Sequence, residues 1–221
     1  YGKRVVETII EDLMEHSVTI VSGLAYGIDI HAHRKALECS LPTVGVLAGG
    51  LNHIYPKIHK STAIDMIRRR GCLLSEHPIQ AQPEARYFAA RNRIIAGIAD
   101  ATIVVEAGEK SGALITAHFA NEYHREVFAV PGDIYNSYSK GCHQLINNHQ
   151  AHLLSGISDI VRVMNWDQQV PRRTGNLRLS VSDRLRGLSD PEKSIVETLE
   201  QMQKEVPMDE LSYQASVPHN Q

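Results

Sequence analysis

Ser22-Gly23-Leu24-Ala25-Tyr26-Gly27-Ile28-Asp29 follows the apolar run Val18-Thr-Ile-Val-Ser22 and leads directly into a helix-patterned stretch, Ile28–Cys39. A buried strand, a turn with two glycines and a helix start in that order form one βα unit. The pattern recurs. Thr43-Val-Gly-Val-Leu47 is followed by Ala48-Gly49-Gly50, and Ala101-Thr-Ile-Val-Val105 precedes Ser111-Gly112-Ala113-Leu114-Ile115-Thr116, which opens another helix. The strand runs are continuously apolar, as strands covered on both faces must be.

Working outward, helix patterns at Gly2–Glu15, His59–Arg70 and Tyr87–Ala96 alternate with strand runs at Cys72–Ser75 and Glu126–Val130. Ser155–Asn165 reads as a closing helix. Such alternation predicts an α/β fold for residues 1–165, a Rossmann-like, mostly parallel sheet with helices on both faces. Residues 166–188 turn polar and aperiodic around Pro171-Arg-Arg-Thr-Gly175 and read as a linker. Ser189-Asp-Pro-Glu192 has the cap, proline and acidic residue of a helix start. With a second short helix near Met208–Gln214, residues 189–221 read as a partial winged-helix-like domain.

The 221 residues are 43% hydrophobic, enough for one sizeable domain and an appendage. Cys39, Cys72 and Cys142 are odd in number and form no C-x-x-C pair, which fits a reducing compartment. No apolar run reaches membrane-span length, so no membrane association is expected and the cytoplasm is the expected location. Net charge is −2, from 23 Lys and Arg against 25 Asp and Glu. The molecule as a whole offers a polyanion no attraction, so a nucleic-acid site must gather its charge locally. Aromatics, at 5%, are too few for a surface built mainly from stacked rings.

In a parallel sheet the three glycine turns share the carboxyl edge, where open α/β folds bind ligands. Glycine lets backbone approach a ligand, and helix starts offer unpaired N–H donors and partial positive charge. Phosphate suits such a cradle. The candidate contacts are Ser22, Gly23, Leu24, Ala25 and Gly27 in the first turn, and Gly49 and Gly50 in the second. Ser111, Gly112, Ala113 and Thr116 make up the third, with Lys57, Arg91, Asn92 and Arg93 supplying cations and a polar amide. For Arg93 the competing reading is a brace paired with Glu76 or Glu106. Neither G-x-G-x-x-G nor G-x-x-x-x-G-K-[ST] is present, so no dinucleotide cofactor or nucleotide hydrolysis is expected. Asp29 reads as a loop brace. His31 and His33, two apart on a helix, diverge and make no metal pair. No catalytic set can be assembled.

Taken in order, these segments resemble the DprA/Smf family of DNA-processing proteins. The resemblance rests on Ser22–Asp29 with His31-Ala-His33, Val46–Gly50 through Tyr55-Pro-Lys57, Leu74-Ser-Glu76, and Arg91-Asn-Arg-Ile-Ile-Ala-Gly97. It continues through Val104-Val-Glu106, Ser111–Ala117 and Val130-Pro-Gly132. It implies a non-enzymatic, homodimeric protein that binds single-stranded DNA and loads the RecA recombinase in natural transformation, without cofactor or metal. It also implies that Ser22, Gly23, Lys57, Arg91, Asn92, Ser111 and Gly112 line the DNA site. The family's first strand, with its Gly-Ser-Arg segment, has no counterpart after Tyr1. The alternative is a phosphoribohydrolase of the lysine-decarboxylase-like group. Such an enzyme needs a Glu on the helix after its glycines, where this chain has Phe119 and Ala120, with Glu122 a turn later.

Overall fold

The computed structural model describes residues 1–166, together with Ser189, residues 192–195, Thr198 and Ala215. The chain divides into two compact units, Tyr1–Gln168 and Gln169–Gln221. Nearly all of the expected linker and winged-helix-like segment lies outside the described residues. Within the second unit, Ser189 caps a helical turn: its backbone N–H and its hydroxyl both donate to Glu192 Oε2, each at 2.7 Å.

The first unit alternates strands and helices as the sequence predicts. Helix α1 (Gly2–Asp12) leads through a 3-10 turn, Leu13–Glu15, to β1 (Ile20–Ser22), followed by α2 (Ile28–Glu38) and β2 (Thr43–Val46). Then come α3 (Lys60–Arg68), β3 (Cys72–Leu74), α4 (Ala85–Ile98), β4 (Ala101–Val104), α5 (Gly112–Glu122) and β5 (Glu126–Ala129). Two elements were not expected, α6 (Lys140–Asn147) and β6 (His152–Leu153); α7 (Ile157–Val163) closes the unit. The helix α6 is short and holds Gly141, His143 and Asn147, which weaken its pattern, while β6 has two residues, too few for alternation to register.

Every strand pair is parallel, in the orders β1-β2-β3 and β4-β5-β6. The expected parallel layer is thus formed in two halves, and among the described residues β1 and β4 each have a strand partner on one side only. Helices α2, α3, α5 and α6 end without glycine. Ser40, Arg70, His124 and His149 take φ near +60° there. The next amide returns to a carbonyl five residues back, as in Leu41 N–H to Ala36 O at 2.8 Å and Gly71 N–H to Met66 O at 2.8 Å.

Packing differs between the halves. Leu24, Ile30, Leu37, Leu47, Ala63 and Met66 form one cluster under α2 and α3. In the other half, Ala96, Ala117, Ala120 and Ala129 let α4 and α5 lie close together over β4 and β5. Cys39, Cys72 and Cys142 are unpaired.

Candidate nucleic-acid interface

Helix α4 gathers the three turns. Arg91 Nη1 donates to Gly23 O at 2.8 Å and also to Val46 O, which places the carboxyl ends of β1 and β2 around one guanidinium. Its Nε donates to Asn92 Oδ1 at 3.2 Å, and Asn92 Nδ2 donates to Gly112 O at 3.3 Å, at the start of α5. The tips of β1, β2 and β4 therefore share one edge, as a parallel arrangement requires.

Their amides are used differently. In the first turn Asp29 Oδ2 accepts from Gly23 N at 3.0 Å and from Ala25 N at 3.2 Å. Two donors expected to face a phosphate are thus held by an internal carboxylate, which confirms Asp29 as the brace of its loop. Leu24 is fully buried, at 0% exposure, with φ 57, so its side chain belongs to the core and not to an open cradle. Gly23 is glycine for an internal reason: a Cβ there would lie 2.5 Å from Arg91 Nη2. Gly27, at φ 84, sets up the entry to α2. Ser22 is half-buried at the end of β1.

The second turn is covered as well. Gly50 N–H donates to Ala81 O at 2.8 Å, and Asn52 N–H to Ile79 O at 3.1 Å. A Cβ on Gly49 would lie 2.9 Å from Pro83 N. These glycines admit the 78–83 segment, and both are buried.

The third turn is open. Ser111 caps α5, its hydroxyl accepting from Ala113 N–H at 3.3 Å, and no acidic residue sits in the first turn of the helix. Gly112 is exposed, and a Cβ on it would touch nothing within 4 Å among the described residues. Ala113 and Thr116 are half-buried on the following turn.

The expected cations also separate. Arg91 is only 4% exposed and is a brace within the fold; burial pushes its pKa down, with Asp29 acting in the opposite direction. Arg93 is ion-paired with Glu76, one of the two carboxylates considered for it. Lys57 is exposed, and with Lys60, Tyr55, Asn52, His53 and Gln82 it lines a hollow of about 410 Å³. Among the described residues neither Lys57 nor Lys60 has an ion pair. Tyr55 is 49% exposed with its ring edge-on to Phe88, and Tyr26 is 67% exposed over His59. Sequence reasoning passed over Lys60, Gln82 and both tyrosines. Lys60 lies one helical turn beyond Lys57, a usable signal, whereas Gln82 arrives by a loop fold that no spacing announces.

His33 is buried, with Nδ1 2.7 Å from Thr43 Oγ1, and burial pushes its pKa down to about 4. Among the described residues no group of three His, Cys, Asp or Glu side chains could hold a metal, and no helix is long and apolar enough to cross a membrane. Glu122 lies at the far end of α5, about 15 Å along the axis from Gly112 at 1.5 Å per residue, and pairs with His118 at 3.3 Å. It does not approach the glycine turn as the hydrolase alternative requires.

The family model for DNA recombination-mediator protein A matches residues 1–165. The chain belongs to the DprA/Smf family. It is 45% identical over 146 residues to the DNA processing protein DprA of Bacillus subtilis, covering 66% of this chain and 49% of that protein. Protein Smf of Escherichia coli is 46% identical over 146 residues, covering 66% of this chain and 39% of the relative. The chain thus spans half or less of the length of these DprA/Smf proteins. Among solved structures, DprA of Streptococcus pneumoniae superposes with TM-score 0.67 at 41% identity, covering 73% of this chain and 56% of the other. DprA of Helicobacter pylori, whose structure concerns a single-stranded-DNA binding mode, gives TM-score 0.67 at 30% identity, covering 76% and 75%.

Proposed function

We propose that the protein binds single-stranded DNA along the shared carboxyl edge of its strands and acts as a recombination mediator without chemistry of its own. The observation that carries this reading is the pair Lys57 and Lys60, exposed, without carboxylate partners among the described residues, and set with Tyr55 around the hollow beside the second turn. Lysines free of internal partners are available to phosphates, and an exposed ring beside them offers a stacking face to an unpaired base. The open start of α5 at Ser111 and Gly112, with Asn92 beside it, supplies further backbone donors. Arg91 acts by positioning, since it fixes the turns that frame the edge. The finer reading, a homodimer that protects incoming strands and loads RecA in natural transformation, is supported by family membership.

Fluorescence anisotropy with an oligodeoxythymidylate over a range of salt concentrations tests the assignment. Replacing both Lys57 and Lys60 with Ala is expected to weaken binding and flatten the log–log salt slope by about 1.4, at roughly 0.7 per phosphate contact. Unchanged affinity and slope would overturn it. In the same preparation, failure to stimulate RecA strand exchange removes the loading role and leaves DNA binding standing.

A further inference from the structure

Helix α3 carries charge that neither its own dipole nor an internal partner accounts for. Residues 57–70 hold Lys57, Lys60, Arg68, Arg69 and Arg70 against Asp65 alone, in a chain whose net charge is −2. All five cations are exposed, and among the described residues none has an ion pair. The partial negative charge at a helix end favours cations there, which suits Arg68 to Arg70. Lys57 and Lys60 stand at the opposite end, where the same dipole repels them. Helix stability explains one end of the set and not the other.

The burial pattern aligns these charges. Thr62, Ala63 and Met66 point into the core, while Lys60, Ser61, Ile64 and Arg68 are exposed on the outer face. Lys60, Ile64 and Arg68 follow one another at intervals of four residues. They form a stripe about 12 Å long at 1.5 Å per residue. Asp65 is half-buried and turned about 100° from Ile64, off the stripe. Arg34 of α2, also exposed, flanks the middle of α3, its Nε donating to Thr62 Oγ1 at 3.4 Å. The basic run is held at the helix end, where Arg70 takes φ 66 and Gly71 N–H returns to Met66 O at 2.8 Å.

The stripe has a direction. It begins at the lysine hollow on the carboxyl edge and ends at the amino edge, where Gly71 leads into β3. Resting on the reading of that hollow as a single-stranded-DNA site, we propose that the outer face of α3 continues it. A strand leaving Lys57 and Lys60 runs down the helix, its phosphates on Arg34 and Arg68–Arg70 and its bases against Ile64 and Ile67, both exposed. The path turns from the sheet edge onto the flank of the domain within one helix. A single strand follows such a turn, and a duplex, stiff over about 150 base pairs, does not. Contacts to phosphate and to apolar side chains carry no base code, so the track is indifferent to sequence.

Anisotropy with two oligodeoxythymidylates, of about 5 and about 15 nucleotides, tests the path, since these lengths span the usual range of single-strand sites. The variant combines Arg68→Gln, Arg69→Gln and Arg70→Asn, asparagine being a residue that accepts the positive φ. The longer oligonucleotide should bind at least about fivefold more weakly, with a log–log salt slope flatter by about 2, at roughly 0.7 for each arginine. The shorter one should bind as before. On the unaltered chain, phenylglyoxal labelling of Arg68–Arg70, read by mass spectrometry, should slow with the longer oligonucleotide and not with the shorter, whatever the fold of the variant. Unchanged affinity and slope for the longer oligonucleotide, or unchanged labelling, overturns the proposal. So does equal weakening of the shorter one, or labelling slowed only by a duplex of the same length. The alanine variant of Lys57 and Lys60 keeps the two readings apart, because it should lose affinity for both lengths. If it binds both as the parent does, the hollow fails as a site and takes the path with it, whereas a null result at the arginines alone leaves the hollow in place.

Discussion

The turn after β1 and the turn after β4 sit on the same edge, both open helices, and use their amides in opposite ways. Gly23 and Ala25 give theirs to Asp29, whereas α5 begins with no carboxylate in its first turn and a glycine facing open space. The contrast extends inward. Buried polar side chains concentrate on the β1 side, where His33, Thr43, His59, Thr62 and Arg91 are enclosed, while the β4 side packs on alanines. A glycine-rich βα turn is therefore an anion site only where no internal carboxylate has taken its donors. The turn after β1 is a built frame, and the start of α5 is free to meet a ligand.

The largest effect is expected where the frame is tied. Arg91→Ala leaves the carbonyls of Gly23 and Val46 without their donor and empties the space over Gly23. The loss is about 3 kcal/mol, in the range for removing a charged, buried hydrogen-bonding group. Arg91→Lys recovers little of it, because one ammonium cannot reproduce a planar fork. Urea denaturation of the three proteins checks this. A loss below about 1 kcal/mol for the alanine variant would mean that the turns hold themselves without α4.

A second effect depends on pH. His33 is neutral in the fold, its pKa pushed down to about 4 by burial, against 6.5 for the ordinary group. Among the described residues its Nε2 has no hydrogen-bond partner to receive a charge. The unfolded chain takes up a proton near pH 6.5 while the folded chain does not, so stability is complete above that pH and falls as pH drops toward 4. At about 1.4 kcal/mol per pH unit once the unfolded group is protonated, the cost between pH 6.5 and 5 is about 1.5 kcal/mol. In His33→Asn this share of the acid slope should vanish, as measured by denaturation midpoints across that range. An unaltered slope would trace the acid sensitivity to other groups.

Much of this arrangement is legible in the sequence. Strand runs such as Ala101–Val105 and helix starts such as Ser111-Gly112 carry their own period and cap, so their positions and the shared edge follow from local chemistry. The roles of the glycines did not follow. Gly23 accommodates Arg91, 68 positions away in sequence, and Gly49 and Gly50 accommodate the 78–83 segment. A residue type chosen to fit distant chain reads the same as one chosen to approach a ligand. Arg91 and Arg93 were indistinguishable for a similar reason: two positions apart on one helix, they point to different faces, one into the turns and one to Glu76. The division of the strand layer was also illegible, because strand order is a long-range property that apolar runs alone do not encode.

The smallest effect on stability should come from Gly112→Ala, and it sharpens the comparison most. A Cβ at Gly112 meets nothing, its φ is not positive, and alanine restricts the unfolded chain, so the variant should match or exceed the parent by about 0.4–1 kcal/mol. Gly23→Ala cannot do so, because its Cβ enters the Arg91 guanidinium at 2.5 Å. If the open start of α5 meets DNA backbone, the new methyl group stands between those amides and a phosphate. Oligonucleotide affinity in Gly112→Ala should then fall several-fold while the melting temperature holds or rises. Stability and affinity moving apart at Gly112, and together at Gly23, would add the start of α5 to the DNA contact made by the lysine hollow. Affinity unchanged at Gly112 would restrict the contact to the lysine hollow beside the second turn.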